Sequence, residues 1–136
     1  MSPSLTSTAV QIFAKDVRRA IAFYRLLGLA VPEPGAPDPH VNADLPGGNQ
    51  LWFDAEQTIT GMHPEWDPPD TAGRVALAFG LGSPPEVDAM FERLTEAGHP
   101  GPLRPHDAPW GQRYATVLDP DGNIVDLFAP LSTRAD

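Results

Sequence analysis

Apolar and polar positions alternate along this chain in a way that marks out short strands and two amphipathic helices. The stretch "AVQIFA" at 9–14, with its β-branched and aromatic residues, predicts a first strand. Beyond it, Val17, Ala20, Ile21, Tyr24 and Leu27 recur at helical spacing. Asp16 can cap the start of that helix and Gly28 can stop it. "LAVPEPG" then predicts a short strand running into a Pro/Gly turn. "HVNADL" and "NQLWFD" predict two more strands, joined by the turn "PGG".

The same order returns in the second half. "RVALAFG" reads as a strand and "SPPEVDAMFERLTEAG" as a helix, with Ser83 as cap and Pro84 at its first position. Val87, Met90, Phe91 and Leu94 form its apolar stripe, and Gly98 ends it. A weaker strand around "GPLRPHD" precedes "GQRYATVL", the turn "DPDG" and "NIVDLF". Asp16 to Gly28 and Glu86 to Gly98 span the same number of positions, and "GNQLWFD" and "GNIVDLF" both follow a Gly-Asn step. These agreements predict a duplicated unit. The expected fold is therefore α+β: two βαβββ modules, at 8–55 and 73–130, whose curved mixed sheets surround a central trough with the helices outside. The Pro-rich stretch 56–72 is expected to be a loop, since its prolines oppose a helix or central strand. Met62 and Trp66 would be its isolated apolar anchors.

At 136 residues, one domain of this kind is the natural size, and 41% hydrophobic residues suffice for a core. Cysteine is absent, which removes disulfides, thiolate metal sites and cysteine nucleophiles. The net charge of −9 and the lack of a basic cluster oppose binding to nucleic acid or anionic membrane and favour a cationic ligand. No apolar run approaches the roughly 18 residues of a membrane span, and "MSPSLTST" is not built like a secretory signal. A cytoplasmic location is expected. Glycine-rich phosphate loops, nucleophile elbows and dinucleotide fingerprints are missing, so no catalytic residue is nominated.

Together, "VQIFAKDVRRAIAFYRLLGL" and "PWGQRYATVLDPDGNIVDL" resemble the vicinal oxygen chelate superfamily of glyoxalases, extradiol dioxygenases and bleomycin-resistance proteins. The resemblance runs from Thr8 to Pro130. It implies the paired βαβββ fold, a homodimer, and a ligand held in the concave sheet. Metal-dependent members take ligands at four places. The resemblance carries these to Ala9, to Arg74, to Asp126, and to Trp52 or, in a slipped register, Gln50. Ala9 has no donor, Arg74 is a permanent cation, and an indole does not ligate, so no metal or other cofactor is expected.

Asp126, set among Val125, Leu127 and Phe128, then needs another role. Residues two apart share a strand face, which groups Ala9, Gln11 and Phe13 with Trp52, and Arg74, Ala76 and Ala78 with Asp126 and Phe128. That mixture of small, aromatic and charged residues suits a ligand pocket. Val10, Ile12, Val75, Leu77, Phe79, Val125 and Leu127 would face the helices as core. The expected ligand-binding residues are Gln11, Phe13, Gln50, Trp52, Trp66, Arg74, Trp110, Tyr114, Asp126 and Phe128. Arg74 and Asp126 would either pair with each other or meet a ligand's carboxylate and amine. His40, His63, His99 and His106 are expected to face solvent. By resemblance, the leading expectation is metal-independent binding of an aromatic or cationic antibiotic or natural product, as in bleomycin-resistance proteins. The alternatives are a lyase or dioxygenase-like enzyme with Asp126 as base or metal anchor, and a structural or regulatory dimer without ligand.

Overall fold

The computed structural model describes residues 3, 5–33, 40–68 and 75–131. It comprises two compact units, Met1–Pro68 and Pro69–Asp136. Each is a βαβββ-like module with a mixed sheet and a peripheral helix.

In the first unit, β1 (Ala9–Ala14) leads into α1 (Val17–Leu27), followed by β2 (Val41–Asp44), β3 (Gln50–Ala55) and α2 (Glu56–Met62). Asp16 starts α1 as predicted, its Oδ1 accepting the backbone N–H groups of Arg18 and Arg19 at 3.0 and 3.2 Å. Gly28 ends it at φ 115°, where its lack of a Cβ matters, and Leu29 N–H closes the turn onto the Tyr24 carbonyl at 2.9 Å. The sheet order is β1-β3-β2, with β1 parallel to β3 and β2 antiparallel to it. Ile12, Ile21, Phe23, Tyr24, Leu51 and Phe53 are buried between α1 and the sheet, and the Tyr24 and Phe53 rings lie 5.4 Å apart.

Two expectations for this unit are corrected. The strand predicted just after α1 does not form at Leu29–Val31. The Arg25 guanidinium holds the Val31 carbonyl through Nε and Nη2, at 2.9 and 2.7 Å, where a strand neighbour would otherwise bond. Positions 34 and 35 of that stretch lie outside the described residues. The predicted loop 56–72 begins instead with α2, which buries Ile59 against the sheet. Its helical turns precede Pro64, so the prolines that oppose helix act only beyond Met62. Met62 is exposed, not an anchor, whereas Trp66 packs edge-on against Phe13 at 5.2 Å.

The second unit runs β4 (Ala76–Gly80), α3 (Pro84–Glu96), β5 (Leu103–Ala108), β6 (Gln112–Leu118) and β7 (Ile124–Pro130). Its sheet order is β4-β7-β6-β5, with β4 parallel to β7 and the other pairs antiparallel. The β5 register shifts between Leu103 and His106, a span that includes Pro105. Val87 and Leu94 of α3 are buried with Ala115, Val117, Val125, Leu127 and Ala129, while Met90 and Phe91 are half-buried. Val75, predicted as core, is 73% exposed, Val10 of β1 is partly exposed, and Leu77 and Phe79 are half-buried.

Ser83 caps α3 through its backbone, not its hydroxyl. Pro85 offers no N–H, and the Glu86 N–H is already held by the Ser83 carbonyl at 3.1 Å. The hydroxyl donates to Glu86 Oε2 at 2.8 Å instead. The "DPDG" turn is structural, as expected. Buried Asp119 accepts the backbone N–H groups of Asp121 and Asn123 at 2.9 and 2.8 Å and the Asn123 side chain at 2.8 Å.

Candidate functional site

Strand alternation places a polar, aromatic face on each sheet, opposite its apolar core. In the first unit, Ala9, Gln11 and Phe13 lie beside Gln50, Trp52 and Asp54, with Asn42 and Asp44 of β2 on the far side of β3. Gln11 is paired with Trp52 and Ala9 with Gln50. The Trp52 indole N–H donates to Gln50 Oε1 at 2.9 Å, and Gln50 Nε2 donates to Asp44 Oδ1 at 3.0 Å. Both predicted residues on β3 are thus tied into one chain of hydrogen bonds.

The sharpest feature of this face was not predicted. Asp54 is buried at 4% exposure, and both its oxygens are engaged. Gln11 Nε2 donates to Oδ2 at 2.5 Å, while His40 Nδ1 lies 2.6 Å from Oδ1. The His40 ring stands edge-to-face with Trp52, with ring centres 5.8 Å apart. His40 faces solvent as expected, and in addition its ring meets Asp54. A signal was present: "LWFDA" sets an acid among apolar strand residues just as "IVDLF" does, and Asp54 shares the parity of Gln50 and Trp52.

In the second unit, Asp126 lies on the face opposite the core, paired with Ala78 on one side and Thr116 on the other. It is half-buried, and its two oxygens accept the Tyr114 hydroxyl at 2.6 Å and the Thr116 hydroxyl at 2.7 Å. Ala76, Ala78 and Gly80 are exposed beside it along β4. Phe128 follows on the same face, its ring against Gly80. Trp110 meets Tyr114 edge-on at 5.4 Å, and its indole N–H donates to Gln112 Oε1 at 2.9 Å. His106 sits on β5 opposite Tyr114. Arg74 lies outside the described residues, so the anticipated Arg74–Asp126 pair does too. The partners seen for Asp126 are hydroxyls.

Donation to Asp126, reinforced by burial, pushes the Tyr114 phenol from its ordinary value of 10.0 up to about 12. Because the folded value lies above the unfolded one, this contribution to stability is complete below pH 10 and is lost as the pH rises through about 12. In ultraviolet titration, the difference between wild type and Tyr114→Phe is expected to show no Tyr114 ionisation near pH 10, and Asp126→Asn should return it toward that value. Ordinary titration of Tyr114 in wild type would contradict the hydrogen bond.

A family model described as the Glyoxalase/Bleomycin resistance protein/Dioxygenase superfamily matches residues 6–127, across both units. The chain belongs to this superfamily. Its fold is shared with a hypothetical protein from S. aureus, at TM-score 0.79 and 19% identity, covering 93% of this chain and 95% of that one. A glyoxalase-related enzyme from Fulvimarina pelagi matches at TM-score 0.78 and 21% identity, with coverage of 96% and 95%. A glyoxalase/bleomycin resistance protein/dioxygenase family enzyme from Burkholderia phytofirmans PsJN matches at 0.76 and 22%, with coverage of 91% and 98%. At these identities the likeness is one of fold. No curated protein matches the sequence significantly.

Among the described residues, the donors do not gather into a divalent-ion site. No group of three or more His, Asp or Glu side chains is placed to hold one among the described residues. Ala9 offers no donor atom. Gln50 Oε1 accepts the Trp52 indole N–H, and Asp126, the single carboxylate among the four places, accepts two hydroxyls. A transition-metal site needs several imidazole or carboxylate groups converging on one point. Also among the described residues, no helix is long and apolar enough to cross a membrane.

Proposed function

We propose that this superfamily member is a metal-independent binding protein for a small aromatic, cationic molecule of the antibiotic or natural-product kind, which it sequesters without turnover. The observation that carries this reading is Asp126: a half-buried carboxylate fixed by two hydroxyl donors, beside an exposed strip of alanine and glycine and flanked by Tyr114 and Phe128. The hydroxyls lock the carboxylate's orientation, and the small residues leave room for a ligand amine or guanidinium to reach it. Tyr114, Phe128 and the exposed Trp110 supply aromatic surface for a flat or cationic group. The chain's charge of −9 draws cations toward it. In the first unit, Trp52 with Gln11 and Gln50 offers a further aromatic and polar surface, walled by Phe13 and Trp66.

Calorimetric titration with cationic glycopeptide-type antibiotics and neutral aromatic compounds tests the proposal. The cationic compounds are expected to bind more tightly, and Asp126→Asn should weaken them about tenfold, the equivalent of about 1.4 kcal/mol, with circular dichroism unchanged. A protein that binds no cationic aromatic compound, or binds one equally well after Asp126→Asn, would not be the binder described.

A further inference from the structure

We propose that His106 is a second polar anchor on the Asp126 face, and that the molecule bound there carries a hydrogen-bond donor, such as a phenol hydroxyl, at the end of its aromatic ring far from the cationic amine. The inference deepens the cation-binding reading and rests on it for the position of the amine.

It starts from the irregular step in β5. Leu103 pairs with Thr116 but His106 pairs with Tyr114, so three steps along β5 match two along β6. The extra residue is a β-bulge. In an unbroken ladder Pro105 would stand opposite Tyr114, and His106 opposite Arg113. Arg113 reaches Asp88 of α3 at 2.9 Å, so its side of the sheet is the helix side. Cross-strand partners share a face, and a slip of one residue moves a side chain to the other face. The bulge therefore turns His106 from the α3 side to the side that carries Tyr114, Thr116 and Asp126.

The half-buried ring is also held in one orientation. His106 Nδ1 lies 3.1 Å from the Arg104 carbonyl oxygen. A carbonyl only accepts, so this bond puts the proton of a neutral ring on Nδ1 and the lone pair on Nε2. Among the described residues Nε2 has no hydrogen-bond partner. The polar groups nearby are committed elsewhere. The Tyr114 and Thr116 hydroxyls donate to Asp126, and Gln112 Oε1 accepts the Trp110 indole N–H. An acceptor left for the ligand selects a donor: a hydroxyl or N–H fits it, an ether oxygen or a carboxylate does not.

Tyr114 and Phe128 continue the row from His106 across β6 to β7, so aromatic surface lies between the two anchors. His106 and Asp126 stand on strands two apart, roughly 10 Å across the sheet. A benzene ring with an aminoethyl arm on one side and a hydroxyl opposite suits that gap.

Tyramine, phenethylamine and 4-methoxyphenethylamine share the amine and the ring and differ only at the far end. At pH 8, where all three amines are protonated, wild type is expected to bind tyramine about fivefold more tightly than the other two. His106→Phe keeps an aromatic ring without Nε2. It should bring the three within about twofold of one another and leave phenethylamine affinity unchanged. Asp126→Asn should weaken all three. Nitrogen-15 NMR of the unliganded wild type, which needs no variant to fold, is expected to find the His106 proton on Nδ1. Equal binding of the three, a tyramine preference that survives His106→Phe, or a proton on Nε2 would each overturn the His106 anchor and leave the Asp126 reading standing. No binding of any probe, or affinities that Asp126→Asn leaves unchanged, would overturn both.

Discussion

Replacing Phe53 by alanine is expected to destabilise the first unit by about 3–5 kcal/mol, the usual cost of removing a large aromatic from a sealed core. Phe53 is fully buried, on the side of β3 that faces α1, with the Tyr24 ring 5.4 Å away. Its neighbours Trp52 and Asp54 point to the other face. Urea denaturation followed by circular dichroism would measure the loss. The experiment also tests strand register. A slip of one residue would turn Phe53 outward and bring Trp52 and Asp54 inward. A cost below about 1 kcal/mol would mean that β3 does not present its residues in the order described, and the Gln11–Asp54–His40 cluster would fall with it.

The second large effect is expected at Asp119, which takes no part in either polar face. Asp119→Ala removes the acceptor for two backbone N–H groups and one side-chain amide in a single turn. Donors left without a partner away from water cost about 1–3 kcal/mol, so a loss of about 2–3 kcal/mol is expected for the whole turn. The β6–β7 register depends on this turn: Asp119 N–H to the Asn123 carbonyl, at 3.0 Å, is the last rung before Leu118 pairs with Ile124. Loss of the turn should therefore loosen the Tyr114–Asp126 contact as well. In Asp119→Ala the Tyr114 phenol is expected to ionise at a lower pH than in wild type, readable in the same ultraviolet titration. An unchanged midpoint of denaturation would show that the turn is held by its backbone alone.

What was legible from residue order follows a physical line. Local signals were readable: Asp16 and Gly28 bound α1 because capping acts within a few residues. The strand faces were also readable, since alternation has a period of two. Even one pairing could have been counted. Stepping back equally from either side of the Asp119–Asn123 turn sets Thr116 opposite Asp126, although Thr116 was not singled out. Pairings across long separations were not legible. The parallel match of β1 with β3 places Gln11 near Asp54, and nothing near either residue specifies that register. The contact of His40 with Asp54 was not legible because His40 precedes β2 and the carboxylate lies on β3. The strand expected after α1 failed for a related reason: the side chain of Arg25 captured the Val31 carbonyl. The prolines misled in a different way, by casting over 56–62 an influence that acts only from Pro64 onward.

Gly80 and Phe128, partners across the β4–β7 pair, share one allotment of space. A methyl group placed at Gly80 would come within 3.1 Å of the Phe128 ring, closer than such groups normally sit. Bulk added on β4 therefore makes the Phe128 ring give by a few tenths of an ångström, and a smaller residue at 128 would relieve that, so the outline beside Asp126 can be remodelled by exchange. Descendants of this sequence can reshape the surface beside Asp126 by trading volume between these two positions, without touching the interior beneath it.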